Sequence, residues 1–114
     1  MPTEFQIETE QPGEGIVVAC PVGEVDLASS PALRTRLSQI ISESPKKLIL
    51  DLSRVPYMDS SGVATLVEAL QMTNRSGVRL ALYGMQERVR SIFEIARLDT
   101  VFKITETFEQ ARED

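Results

Sequence analysis

The sequence contains no histidine and only one cysteine, Cys20. Without histidine the chain cannot supply a Ser-His-Asp or Cys-His catalytic group, and it lacks the commonest acid–base side chain near neutral pH. The usual structural zinc sites are also short of ligands. A lone cysteine cannot form an internal disulfide, which fits a reducing compartment. We therefore expect a protein that is not an enzyme and that uses no metal and no cofactor.

Positive charge and long apolar runs are scarce as well. The chain has 12 Lys and Arg residues against 17 Asp and Glu residues, a net charge of −5. Since nucleic-acid binding requires a basic face, and only the pair Lys46–Lys47 clusters, no direct contact with DNA or RNA is expected. No segment approaches the roughly 20 apolar residues of a transmembrane helix, and residues 1–6 lack a signal-peptide pattern. These absences predict a cytoplasmic protein without a transmembrane segment.

The overall composition is typical of one globular domain. Hydrophobic residues make up 42% of the 114 residues and charged residues 25%, and no repeat or linker divides the chain. We therefore expect a single domain that spans residues 1–114. Short apolar segments alternate with segments of helical periodicity in the order β-β-α-β-α-β-α-β-α, which predicts an α/β fold with a mixed sheet of four to five strands and about four helices.

The predicted elements can be placed from apolar spacing and from turn residues. A turn is expected at Gln11–Gly15. The predicted strands are Glu4–Glu8, Ile16–Val22, Leu48–Leu52, Val78–Tyr83 and Val101–Ile104. The predicted helices run from a cap at Ser30 to Ser44, from about Val63 to a stop at Asn74–Gly77, from Gln86 to Arg97, and over Glu106–Arg112.

The segment with the clearest functional potential is Asp59-Ser60-Ser61-Gly62, an acid, two hydroxyl residues and a glycine. It lies between a predicted buried strand and a predicted amphipathic helix. In an open α/β sheet, ligands and partners dock at the carboxyl ends of strands, where this segment is expected to lie. Local physics leaves two interpretations open. Asp and Ser are preferred helix N-caps and glycine permits close packing, so the segment can be purely structural. One helix cap does not require two consecutive serine hydroxyls, so a functional role for one of them also stays possible.

The segment and its surroundings resemble a known family. The chain has Gly23-Glu24-Val25-Asp26 early, then Asp51-Leu52-Ser53 at the end of an apolar strand, and Tyr57-Met58 directly before the tetrapeptide. Together these motifs resemble the STAS domain of bacterial anti-sigma factor antagonists, and the similarity extends through Arg88–Phe102 over essentially the whole chain. The resemblance implies a STAS-like fold. It also implies that Ser60 is the phosphorylated residue, and it assigns a partner-binding surface to Glu24, Asp26, Asp59, Ser61 and Gly62.

The same resemblance implies a regulatory cycle. The expected partner is an anti-sigma factor that is also a serine kinase using ATP and Mg²⁺. The unphosphorylated antagonist sequesters this kinase and so releases a sigma factor. The phosphorylated antagonist dissociates until a serine phosphatase restores it. At a helix N-terminus, where partial positive charge accumulates, the added phosphate is expected to leave the fold intact.

Three alternatives stay open on sequence alone. The first is a STAS accessory subunit of a lipid-transport ABC complex or a signalling assembly, which docks through the same surface. The second is a receiver module with Asp59 as phosphate acceptor, although Glu24 and Asp26 are not the adjacent acidic pair that would hold Mg²⁺. The third is a small enzyme built on Asp51 and Asp59, for which no nucleophile–base pair is present.

Overall fold

The computed structural model describes residues 5–113. Its strands are β1 Gln6–Gly13, β2 Ile16–Val22, β3 Lys47–Asp51, β4 Arg79–Tyr83 and β5 Lys103–Thr105. Its α-helices are α1 Ser30–Ser42, α2 Ser60–Ser76, α3 Glu87–Ile95 and α4 Phe108–Arg112, and a single 3₁₀ turn covers Leu98–Thr100. The predicted number and order of strands and helices is confirmed over these residues.

The strands form one mixed sheet in the order β1-β2-β3-β4-β5. β1 runs antiparallel to β2, whereas the other neighbours are parallel, with Val18 beside Ile49 and Ile49 beside Ala81. Each parallel pair is joined through one of the helices α1, α2 or α3, as strand–helix–strand units require. The carboxyl ends of β2, β3 and β4 therefore lie along the same edge of the sheet.

The two faces of the sheet are covered unequally. Leu48 and Leu50 in β3 are fully buried with the apolar residues of α1, α2 and α3, while Ile49 points to the other face and packs with Ala111 of α4. Burial of each large apolar side chain stabilises the fold by about 1.5–3 kcal/mol. On the side covered by three helices, Phe93 is fully buried. Its ring packs edge-on against the ring of Phe102, with 5.5 Å between the two ring centres. This larger core fixes α1 and α2 against the strands that carry the candidate site.

The first hairpin differs from its prediction. The predicted strand ended at Glu8, and a turn was expected at Gln11–Gly15, but β1 continues to Gly13 and leaves only two residues before β2. The register shifts between Glu10 and Gly13. Since β1 is an edge strand, an irregularity of this kind accommodates Pro12, which lacks the N–H that a regular ladder needs. Glu4, the predicted first residue of this strand, lies outside the described residues.

The last strand is also shorter than predicted. Val101 and Phe102 were assigned to it, but the strand begins at Lys103, because the chain first makes a 3₁₀ turn after α3. α4 then starts with a capping box between Thr107 and Gln110, inside the predicted helical range. None of the helices within residues 5–113 has the length and apolar character needed to cross a bilayer.

A candidate docking site at the carboxyl ends of β2 and β3

The site is built by a continuation of strand pairing beyond the ends of β2 and β3. Val25 and Met58 form an isolated parallel bridge. The Val25 N–H donates to Tyr57 O at 3.0 Å, and the Asp59 N–H donates to Val25 O at 3.1 Å. Val25 and Met58 are both fully buried, so they anchor the loop that follows β2 and the loop that follows β3 to the core. The Gly-Glu-Val-Asp turn and the Asp-Ser-Ser-Gly segment therefore lie side by side.

Asp59 caps helix α2. Its backbone is extended, and its Oδ1 accepts hydrogen bonds from the N–H groups of Ser61 at 2.9 Å and Gly62 at 3.2 Å. The Ser61 hydroxyl donates to the same oxygen at 2.6 Å. This hydroxyl, with the two N–H groups, holds the pKa of the Asp59 carboxyl below its ordinary value of 3.8, against the opposing effect of desolvation. The capping interpretation of Asp59 is confirmed.

The lowered pKa of Asp59 predicts a pH-dependent stability. A carboxyl whose pKa is lower in the folded state stabilises the fold above its unfolded pKa, and this contribution is lost as the pH falls through the folded pKa. The variant Asp59→Asn keeps a capping oxygen but no charge. We expect wild type to have the larger free energy of unfolding at about pH 7. The difference in this free energy between the two proteins should become smaller below about pH 4.

Urea unfolding of the wild-type and Asp59→Asn proteins at several pH values measures this difference. The remaining carboxyl groups are common to both proteins, so their titration cancels in the comparison. A stability difference that stays constant down to about pH 3 would show that the hydrogen bonds do not favour the charged carboxylate.

The two serines of the tetrapeptide differ in environment. Ser60 is the first residue of α2, its side chain is exposed, and its hydroxyl has no hydrogen-bond partner within residues 5–113. Ser61 is half-buried and donates to Asp59. The hydroxyl oxygen of Ser61 also lies 3.2 Å from that of Ser30. Ser60 is thus the hydroxyl that another protein can reach, whereas Ser61 is held inside the site.

The neighbouring turn is ordered by Asp26. Its Oδ1 accepts hydrogen bonds from the N–H groups of Ala28 and Ser29, each at 3.0 Å. The Ser29 hydroxyl donates to Glu24 O at 2.7 Å, while the Glu24 side chain itself is exposed. The sequence predicted Ser30 as the cap of α1, but Ser30 is the first residue of this helix and its hydroxyl donates to Asp26 O at 2.6 Å.

Gly62 is buried beneath the site. A Cβ atom at this position would lie 2.5 Å from Met58 Cγ and 2.6 Å from Val25 O. Glycine is therefore required here so that the first turn of α2 can approach the Val25–Met58 bridge. The structure places Gly62 under the surface, while the side chains of Glu24 and Ser60 are exposed and those of Asp26 and Asp59 are half-buried. We call Glu24, Asp26, Asp59 and Ser60 the Ser60 surface.

Two features around the site were not predicted from the sequence, namely the exposure of Leu27 and the contact of Tyr57 with Arg88. Leu27 is 78% exposed, although it is a large apolar residue. Tyr57 is half-buried, and the Arg88 guanidinium of α3 lies 5.3 Å from the centre of its ring, a cation–π contact. An apolar residue inside the polar run from Gly23 to Ser30 was the one signal that could have drawn attention to Leu27. The contact of Tyr57 with Arg88 joins distant segments and has no local signature.

The Ser60 surface is acidic. Three of its four side chains carry carboxyl groups, and the Asp26 and Asp59 carboxylates are already engaged by backbone N–H groups. Among residues 5–113, no three His, Cys, Asp or Glu side chains cluster in a way that could hold a metal ion. The arrangement therefore offers an exposed hydroxyl beside ordered carboxylates, a combination suited to recognition by another macromolecule.

Fold and site together define a small α/β domain with a polar contact surface at the carboxyl ends of its strands. The STAS domain family model matches residues 6–111, and the chain belongs to this family. The anti-sigma-B factor antagonist of Staphylococcus aureus is 29% identical over 84 residues, which are 74% of this chain and 78% of that protein.

Solved structures show the same fold. An anti-sigma factor antagonist from Mycobacterium paratuberculosis superposes with a TM-score of 0.87 at 23% identity, covering 97% of this chain and 93% of that one. The unphosphorylated form of the anti-sigma factor antagonist SpoIIAA gives a TM-score of 0.77 at 24% identity, covering 93% and 92%. At these identities the structures establish the architecture alone.

Proposed function

We propose that this protein is an anti-sigma factor antagonist, a binding protein that sequesters an anti-sigma factor with serine kinase activity and so releases a sigma factor. The observation that carries the proposal is the exposed hydroxyl of Ser60, which lies at the start of α2 beside the Asp26 turn and makes no hydrogen bond to any of residues 5–113. Family membership and the name of the Staphylococcus aureus relative support it. In this proposal residues 1–114 act as one domain in the cytoplasm, where sigma factors act.

The proposed switch is phosphorylation of Ser60 by that kinase, with reversal by a serine phosphatase. A phosphoserine carries a charge of about −1.5 to −2 near neutral pH. The N–H groups of Ser61 and Gly62 already bind the Asp59 carboxylate, so they are not available to neutralise a phosphate on Ser60. The new charge therefore adds to an acidic surface and projects toward the partner. Binding weakens through repulsion, steric conflict and desolvation cost.

The roles of the remaining predicted residues follow from their placement. We assign direct partner contact to Glu24 and Ser60, whose side chains are exposed. Asp26, Asp59 and Ser61 act mainly by ordering the two loops, and Gly62 by allowing them to approach. The phosphorylated form of SpoIIAA from Bacillus has the same fold, with a TM-score of 0.71 to this chain. A phosphate is therefore compatible with this architecture.

Phosphorylation by a candidate anti-sigma factor with serine kinase activity, in the presence of ATP and Mg²⁺, tests the proposal. We expect one phosphate, located at Ser60 by mass spectrometry, and none on the Ser60→Ala variant. The variant Ser91→Ala, which changes an exposed serine in α3, is the matched control and should be phosphorylated like wild type. Modification of another residue, or none by a kinase that binds the protein, would contradict the proposal.

A further inference from the structure

A groove runs from the Ser60 surface between helices α1 and α2. Its volume is about 230 Å³, and Ser30 and Ser61 line its end nearest Asp59. Leu27 and Pro31 contribute apolar atoms from the α1 side, and Ala64 contributes them from α2. Because Ser61 both lines the groove and bonds to Asp59, the groove is continuous with the surface that contains Ser60. We call it the α1–α2 groove.

Leu27 is an exposed apolar side chain on an ordered turn. It is 78% exposed, yet its neighbours Ala28 and Ser29 are fixed by hydrogen bonds to Asp26. The Leu27 backbone N–H also contributes to the stabilisation of the Asp59 carboxylate. Because the backbone of this turn is already ordered, it loses little conformational entropy when a partner covers Leu27. The turn thus presents Leu27 for an apolar contact directly beside the switch residue.

The charges around the groove indicate the chemistry of its occupant. Arg34 and Glu68 pair across its far end at 2.5 Å, so these two charges compensate one another. At the near end, Glu24, Asp26 and Asp59 leave an excess of negative charge. A complementary ligand therefore combines an apolar side chain with neighbouring positive charge.

We propose that the α1–α2 groove receives an apolar side chain from a basic segment of the anti-sigma factor, and that Leu27 is the contact that fixes this segment beside Ser60. The inference rests on the proposed function and deepens it, since it names the chemistry of the partner's docking segment. A buried apolar anchor surrounded by polar contacts is the usual arrangement at the centre of a protein interface. Its position also explains how a charge on Ser60 would disturb the seated segment.

The variant Leu27→Ala tests the groove through its affinity for the anti-sigma factor kinase, measured by calorimetry with unphosphorylated protein. We expect the Kd to rise about tenfold or more, with an unchanged thermal midpoint because Leu27 packs little in the free protein. The matched control is Ile95→Ala, which truncates an 84% exposed residue at the end of α3 and should change the Kd less than about twofold.

A second variant, Ala64→Lys, places bulk and positive charge in the groove at an exposed helix position. We expect it also to weaken binding about tenfold or more, because it fills the groove and repels the basic segment. If neither variant weakens binding while Ser60→Asp does, the groove proposal is overturned and the proposed function stands. Equal losses in Leu27→Ala and Ile95→Ala would likewise overturn it. If the unmodified protein binds no anti-sigma factor at all, both proposals fail.

Discussion

The substitution Ser60→Asp should weaken binding to the anti-sigma factor about a hundredfold, while the domain remains folded. Each tenfold change in affinity corresponds to about 1.4 kcal/mol, so the expected cost is about 3 kcal/mol. It arises because a negative charge would face the partner beside the Asp59 and Asp26 carboxylates, where the unmodified protein presents a small neutral hydroxyl. Stability should change little, since the Ser60 side chain is exposed and makes no hydrogen bond within residues 5–113.

Two control variants accompany this measurement. Ser60→Ala should bind like the unphosphorylated protein, because it adds no charge. Ser38→Asp introduces the same charge at an exposed position of α1, about two turns from the start of that helix, and should leave the affinity nearly unchanged. Unfolding of Ser60→Asp would instead show that this serine is a structural part of the helix start.

The substitution Gly62→Ala should destabilise the protein by about 3 kcal/mol. Alanine normally stabilises a helix relative to glycine, by about 0.5–1 kcal/mol. Here the added methyl group would lie 2.6 Å from Val25 O and 2.5 Å from Met58 Cγ, and the backbone oxygen cannot move without breaking the bridge between the loops. Chemical denaturation measures the loss, and weaker partner binding should accompany it.

The matched control for this substitution is Gly13→Ala. A Cβ atom there would meet Ile16 Cδ1 at 3.6 Å, an ordinary van der Waals contact. Its expected effect is within about 1 kcal/mol. If Gly62→Ala proved as mild as Gly13→Ala, the close approach of α2 to the Val25–Met58 bridge would not be a constraint on the site.

The parts of the fold that were predictable are those with strong local patterns. The apolar run at Leu48–Leu52 and the stripe that begins at Val63 identified β3 and α2, and Gly77, with φ of 72°, ends α2 where the prediction placed its stop. β1 was mispredicted because it is an edge strand with mostly exposed polar residues, so its second half carries no apolar alternation. The turn that joins β1 to β2 was predicted, but the structure shortens it to Glu14 and Gly15.

The candidate site was only partly predictable. The tetrapeptide at residues 59–62 stood out, but local physics did not separate capping from function, and Ser60 was selected through the family resemblance. The structure makes the two roles compatible, because Asp59 supplies the cap and Ser60 stays exposed. The contact of Ser30 with Ser61 and the groove beside Leu27 depend on how α1 meets α2. Contacts between segments some thirty residues apart leave no trace in local spacing.

The most direct test of the central claim compares one protein in two states. The affinity for the anti-sigma factor kinase is measured with the unmodified protein and with the protein phosphorylated at Ser60, and again after a serine phosphatase has removed the phosphate. We predict a loss of about a hundredfold on phosphorylation and full recovery afterwards, with unchanged circular dichroism. Equal affinities in the two states would contradict a phosphorylation switch at Ser60.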